Sequence, residues 1–225
     1  MQDNWLSYYS GDGKDASVLV PESFVARFFL SRRPVTFMHE YDFQGRTVLD
    51  IGCGSGRHLN FFLDLGLKPT GVDIMIAQVS STVASRVKLV EGSFQNFPNF
   101  EKQFDFVTCV NSIYYCKSER ELEANLGIVY DNLKPGGFAL LSFIGDAHFV
   151  IADDLKPHQF TYEIRTDPSR HQCGVNKIFI PRDTGSAHEL LERAGFQHDS
   201  ILVGQQRDEL NGFCRHLYYV YAAKV

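Results

Sequence analysis

The sequence predicts an α/β protein: a seven-stranded, mostly parallel sheet with helices on both faces, an antiparallel C-terminal hairpin, and a substrate-side or lid segment inserted after the fifth strand. Three observations lead there. Short apolar runs alternate with amphipathic stretches between residues 47 and 143, the order that specifies right-handed crossovers and parallel strands. Glycines cluster directly behind the first apolar run, and the alternation breaks down after residue 145. With 225 residues, 44% of them hydrophobic, the chain can bury one full core, and no repeat or linker divides it. Residues 1–225 are therefore expected to form a single domain.

Each element has a local reason. Pro21 opens an amphipathic helix through about Leu30 that collects Phe24, Phe28 and Phe29 on one side, and residues 1–44 are expected to form an N-terminal helical lid. Strands are expected at 47–51, 70–74, 87–90, 104–110 and 138–143, with helices over 58–65, 77–84 and about 119–133 between them. The last of these helices spaces Leu122, Leu126, Val129 and Leu133 for burial. Residues 145–182 mix charged, aromatic and β-branched residues around the turn signals Asp167-Pro168 and Cys173-Gly174, and read as an insertion of loop with two strands. A helix from about Ser186 to Ala194 stops at Gly195, and strand-like runs at 200–203 and 216–222, joined through Asn211-Gly212, make the closing hairpin of the segment 183–225.

Composition excludes several functions. Acidic residues outnumber Lys and Arg by 27 to 22 with no run of like charge, which argues against a nucleic-acid partner. The five cysteines (53, 109, 116, 173 and 214) are odd in number and show no knuckle or redox spacing, as in a reducing compartment. The polar N-terminal residues resemble neither a signal peptide nor a span, so a cytoplasmic protein without a membrane partner is expected. None of the 8 histidines stands in a His-Glu-x-x-His arrangement, and no metal is expected.

The chemistry is concentrated in Val48-Leu49-Asp50-Ile51-Gly52-Cys53-Gly54-Ser55-Gly56-Arg57-His58. Glycines at 52, 54 and 56 let a strand-to-helix junction turn sharply and approach a ligand where side chains would obstruct it. The dinucleotide fingerprint has a different spacing, Gly-x-Gly-x-x-Gly, and Asp50 ahead of the loop suits a cationic ligand better than a pyrophosphate. Asp73 ends the second strand 21 residues beyond Gly52, where a carboxylate can accept both ribose hydroxyls.

At these residues the sequence resembles the class I S-adenosylmethionine-dependent methyltransferases, and among them the small bacterial-type "methyltransferase domain" group. The motifs VLDIGCGSG, TGVDI, EGSFQNFP, FDFVTCVNSIYY and LKPGG follow one another in the family's order, over roughly residues 45–145. The resemblance implies a Rossmann-like fold and S-adenosyl-L-methionine as cofactor. It places Asp50 and the loop residues Gly52, Cys53, Gly54 and Gly56 at the methionine end, Asp73 with Ile74 at the ribose, and Ser93 with Phe94 at the adenine. Asn111 at the end of the fourth strand completes the cofactor set. Ser93 stands where many members carry Asp, so the adenine contact falls to its hydroxyl, to Gln95 or to Asn96. The methionine carboxylate needs a further donor, for which Arg27 and Tyr9 are candidates.

Methyl transfer from a sulfonium needs alignment and desolvation, with a base only where the nucleophile must lose a proton. His148, close behind the fifth strand, and Tyr115 are the candidates for a catalytic or substrate-orienting role. The chain lacks the Asn/Asp-Pro-Pro-Tyr/Phe and Pro-Cys signatures of nucleic-acid base methylation after strand four, so a small-molecule acceptor with an O or N nucleophile is expected. A cofactor-binding but catalytically silent domain is the alternative, followed by an NAD-dependent oxidoreductase. Of 30 aromatic residues, Phe62, Phe104, Phe106, Phe138 and Phe143 read as core, whereas Trp5, Tyr8, Tyr9, Phe24, Tyr114, Tyr115, Phe149, Phe160 and Tyr162 are expected to rim the active-site mouth.

Overall fold

The computed structural model describes residues 20–31, 42–145, 161–165, 175–210 and 213–225. The elements are α1 (Ser23–Leu30), β1 (Thr47–Ile51), α2 (Arg57–Asp64), β2 (Lys68–Asp73), α3 (Ser81–Ala84), β3 (Lys88–Glu91), β4 (Phe104–Cys109), α4 (Glu119–Asp131), β5 (Leu133–Ile144), β6 (Thr161–Arg165), β7 (Val175–Phe179), α5 (Thr184–Arg193), β8 (Ile201–Leu210) and β9 (Phe213–Ala223). Seven strands form one sheet in the order β3-β2-β1-β4-β5-β9-β8, parallel from β3 through β5 and antiparallel at β9 and β8. β6 and β7 form a separate antiparallel pair, the two strands expected in the insertion.

Alternation along the central strands sorts the core onto two faces. Val48, Phe106, Phe138, Leu140 and Tyr221 turn to one side, where α1 and Phe62 of α2 cover them. Leu49, Ile51, Val107, Cys109, Ala139 and Leu141 turn to the other, under α4 and α5. Ser118 and Asp183 cap α4 and α5 by accepting backbone N–H bonds, and Glu119 and Glu121 complement the first turn of α4. Gly195 ends α5 at φ 107°, with its N–H on the Glu192 carbonyl and that of Phe196 on Leu191.

Of the segment 1–44 expected as a lid, the described helix α1 packs into the core, and residues 1–19 and 32–41 lie outside the described residues. Phe24, Val25, Phe28 and Phe29 are all buried, and Phe28 and Phe29 meet Phe106 edge-on with ring centroids 6.3 and 5.2 Å apart. Phe24 stacks on Tyr219 at 5.7 Å and is 1% exposed, so it belongs to the core and not to the active-site mouth. Tyr114 is corrected in the same way: it is 3% exposed and packs in the core of the α4 face.

Other departures have local causes. The helix expected over 77–84 is a 3₁₀ turn at Ile76–Gln78 followed by α3, because the Ser80 hydroxyl accepts the Val83 N–H and starts a new helix there. β5 begins before Pro135, with a register shift against β4. Gly136 supplies the left-handed residue at φ 75°, and bonds between Gly136 N and Lys224 O and between Lys224 N and Gly137 O carry the strand through. The closing hairpin is longer than expected, paired from Ile201 with Ala222 to Leu210 with Phe213.

Candidate active site

A cleft opens at the carboxyl ends of β1, β2 and β4, where strand order reverses between β1 and its two neighbours, the position at which open α/β sheets bind ligands. Gly52 and Gly54 form its floor, with Asp73, Ile74 and Met75 on one wall. Gly92, Ser93, Phe94 and Gln95 form the second wall, and Asn111, Ser112 and Tyr115 the third. Gly52 has φ 77°, and a Cβ there would collide with the Ser112 side chain, so only glycine closes this junction.

Backbone amides organise Asp73. Gly54 N–H donates to its Oδ2 at 2.8 Å and Met75 N–H to its Oδ1 at 3.0 Å. Each oxygen keeps a lone pair for a further donor, so the carboxylate is oriented as a bidentate acceptor for two hydroxyls. On the opposite wall Asn111 adopts the left-handed conformation at φ 58°, and Ser142 holds it there: Asn111 N–H donates to Ser142 Oγ at 2.8 Å, and that hydroxyl donates to Asn111 Oδ1 at 3.1 Å. Gln95 Nε2 donates to Glu121 Oε1 at 2.7 Å.

Asp50 lies beneath the glycine loop and not in the cleft. It is 1% exposed; Thr108 Oγ1 donates to its Oδ1 at 2.6 Å, while Oδ2 has no hydrogen-bond partner among the described residues and faces His58 Nδ1 at 3.9 Å. His58 Nε2 accepts the Glu22 N–H at 3.2 Å, which puts the imidazole proton on Nδ1, toward Asp50. Burial pushes the Asp50 carboxyl up to about 7 against the Thr108 bond, and burial together with the Arg57 charge pulls His58 down to about 3.

The structure thus brings Gly52, Gly54, Asp73, Ile74, Ser93, Phe94, Asn111 and Tyr115 into one cleft. Cys53 is 4% exposed and packs with Leu59, Val79 and Val83 behind the loop, so its side chain fills space. Gly56 opens α2 at φ 85° against Val79. Arg27 is exposed on α1 and is not among the cleft residues, so the structure does not bring it to the site. Tyr9 and His148, and with them Trp5, Tyr8, Phe149, Phe160 and the Tyr162 side chain, lie outside the described residues.

Sequence reasoning missed one group. Glu22, which precedes α1 and is 5% exposed, gathers Arg57 Nη2 at 2.6 Å, Arg215 Nη2 at 2.6 Å and Asn111 Nδ2 at 3.2 Å on its Oε1. Burial alone would raise the Glu22 pKa, but Arg215 and Arg57 more than offset it and the carboxyl stays below its usual range. An acid directly after Pro21 was the only local signal, since Arg215 is 193 residues away. His188, Glu192 and His198 also approach one another, with ligand atoms within 4.8 Å, but none lines the cleft. Among the described residues no helix is long and apolar enough to cross a membrane.

A glycine-floored cleft with an amide-oriented acid at the end of β2, on a sheet closed by β9 and β8, defines a class I S-adenosylmethionine-dependent methyltransferase fold. The comparisons agree, and the chain belongs to the methyltransferase domain family, whose model matches residues 22–201. S-adenosylmethionine is the cofactor of this class, and the cleft residues fit it. A cypemycin N-terminal methyltransferase from a Streptomyces species is 31% identical over 139 residues, 60% of this chain and 53% of that protein. A tRNA U34 carboxymethyltransferase from Pseudoalteromonas translucida is 30% identical over 173 residues, 72% of this chain and 48% of that one. The chain spans about half the length of these curated relatives. A solved Burkholderia thailandensis 1,6-didemethyltoxoflavin-N1-methyltransferase, with 1,6-didemethyltoxoflavin and S-adenosylhomocysteine bound, superposes with a TM-score of 0.63 at 21% identity, covering 100% of this chain and 86% of that one.

Proposed function

We propose that the protein transfers the methyl group of S-adenosylmethionine to an O or N nucleophile of a small-molecule acceptor. The observation that carries the cofactor half is Asp73, whose two oxygens are oriented by the Gly54 and Met75 amides at the cleft wall, ready for a ribose diol. In this reading Ile74 lies beside the ribose, and Ser93 and Phe94 take the adenine. The Gly52 to Gly56 loop receives the methionine end through its backbone, with Asn111 opposite. Asp50 acts from below, by fixing the loop against Thr108 and His58.

When bound, the cofactor supplies the activated methyl group; the chain's residues orient it and exclude water. Tyr115 lines the cleft beside Asn111 and Ser112 and orients the acceptor through its ring or hydroxyl. The formal net charge of -5 supports a small acceptor over a polyanion. The test is transfer of labelled methyl to metabolite fractions and, separately, to bulk tRNA. Label in a small-molecule fraction is expected. Label confined to tRNA would overturn the acceptor assignment, and S-adenosylhomocysteine binding without transfer to any fraction would favour a silent binding domain.

A further inference from the structure

Arg57, from the start of α2, and Arg215, from β9, converge on the one buried carboxylate of Glu22. Two guanidinium charges against one carboxylate leave a surplus positive charge in a chain that is acidic overall. Each arginine side chain is 37% exposed. A guanidinium has five N–H donors, and among the described residues the hydrogen bond of each arginine runs from one Nη2 to Glu22. Glu22 also accepts a bond from Asn111, a cleft residue at the β4 end, so the carboxylate that both arginines meet is one hydrogen bond from the cleft lining. Arg215 approaches from the strand beside β5, remote from the Asp73 and Phe94 walls proposed for the nucleoside.

We propose that Arg57 and Arg215, fixed by Glu22, seat an oxyanion of the methyl acceptor, a carboxylate or a phosphate group. This rests on the methyltransferase reading and narrows its acceptor to an anionic small molecule. The anchored pair is preorganised: Glu22 holds both guanidiniums in place before the ligand arrives, so little side-chain freedom is lost on binding. Arginine forks match carboxylate and phosphate oxygens in pairs, which a single lysine does not.

The test uses the full chain saturated with S-adenosylhomocysteine, titrated with inorganic phosphate and, in a second arm, with benzoate, while the melting temperature is followed. Wild type is expected to be stabilised by at least one probe, and the arm that responds identifies the oxyanion. Arg215→Gln and Arg57→Gln should each weaken that probe by about 10-fold or more, the loss of a charge-assisted bond, with S-adenosylhomocysteine affinity within about threefold of wild type. Arg215→Lys should recover part of the response. No stabilisation of wild type by either probe, or unchanged probe affinity in both Gln variants, overturns the proposal. So does a fall of about 10-fold in S-adenosylhomocysteine affinity with 5′-methylthioadenosine affinity unchanged, because the seat would then hold the cofactor's own carboxylate. Failure of wild type to bind S-adenosylhomocysteine at all would instead remove the underlying cofactor reading.

Discussion

Asp50 and His58 make the stability of the protein depend on pH in a way that single substitutions expose. The Asp50 carboxyl is raised from 3.8 to about 7 and His58 is lowered from 6.5 to about 3. A raised acid contributes stability that is present below pH 3.8 and lost as pH climbs through 7. A depressed imidazole contributes stability that is present above pH 6.5 and lost as pH falls toward 3. Between about pH 4 and 6.5 the folded pair and the unfolded pair each hold one proton, so the two slopes cancel in the wild type. Asp50→Asn keeps the shape and removes the titration. His58 then stays neutral in the fold while it charges in the unfolded chain, and stability should fall by about 1.4 kcal/mol for each unit below pH 6.5. From pH 6.5 to 4.5 the variant should lose roughly 2 to 3 kcal/mol relative to wild type. Urea unfolding followed by circular dichroism, with variant minus wild type compared at each pH, isolates this pair from other titrating groups. His58→Asn should tilt the difference the opposite way, gaining stability as pH falls from 7 to 4. A stability difference for Asp50→Asn that does not change across this range would refute the reasoning.

The remaining predictions concern the cleft. Asp73→Ala should weaken S-adenosylhomocysteine binding by about 10-fold to 100-fold in calorimetry, with the fold retained, because it removes an oriented charged acceptor. Unchanged affinity would contradict the ribose assignment. Gly52→Ala should abolish binding and lower stability by about 1 to 3 kcal/mol, since its Cβ meets Ser112 at a positive φ, and thermal melting with and without ligand reads both effects. Tyr115→Ala should leave S-adenosylhomocysteine affinity within about threefold while reducing labelled methyl transfer at least about 10-fold, as expected of a residue that orients the acceptor.

Local pattern made much of the molecule legible. Glycines at alternate positions behind an apolar run marked the loop, and Asp73 at a strand end marked the cleft wall, because backbone turning and strand polarity are set by neighbours in sequence. The same reasoning misplaced Phe24 and Tyr114 at the mouth and Arg27 over the site. An aromatic on an amphipathic helix has the same spacing whether its apolar face covers a sheet or a ligand, and α1 covers the sheet.

By itself the sequence determined the alternation of strands and helices, the glycine junction, the two acids that flank it and the family to which these belong. Only the tertiary structure decided how the acids divide their work: Asp73 stands in the cleft with oriented lone pairs, while Asp50 is sealed beneath it against Thr108 and His58. It also decided that Glu22, Arg57 and Arg215 meet. The physical reason is distance along the chain. Charges separated by 35 and 193 residues leave no periodic trace in the sequence, and only strand order and helix packing bring them onto one carboxylate.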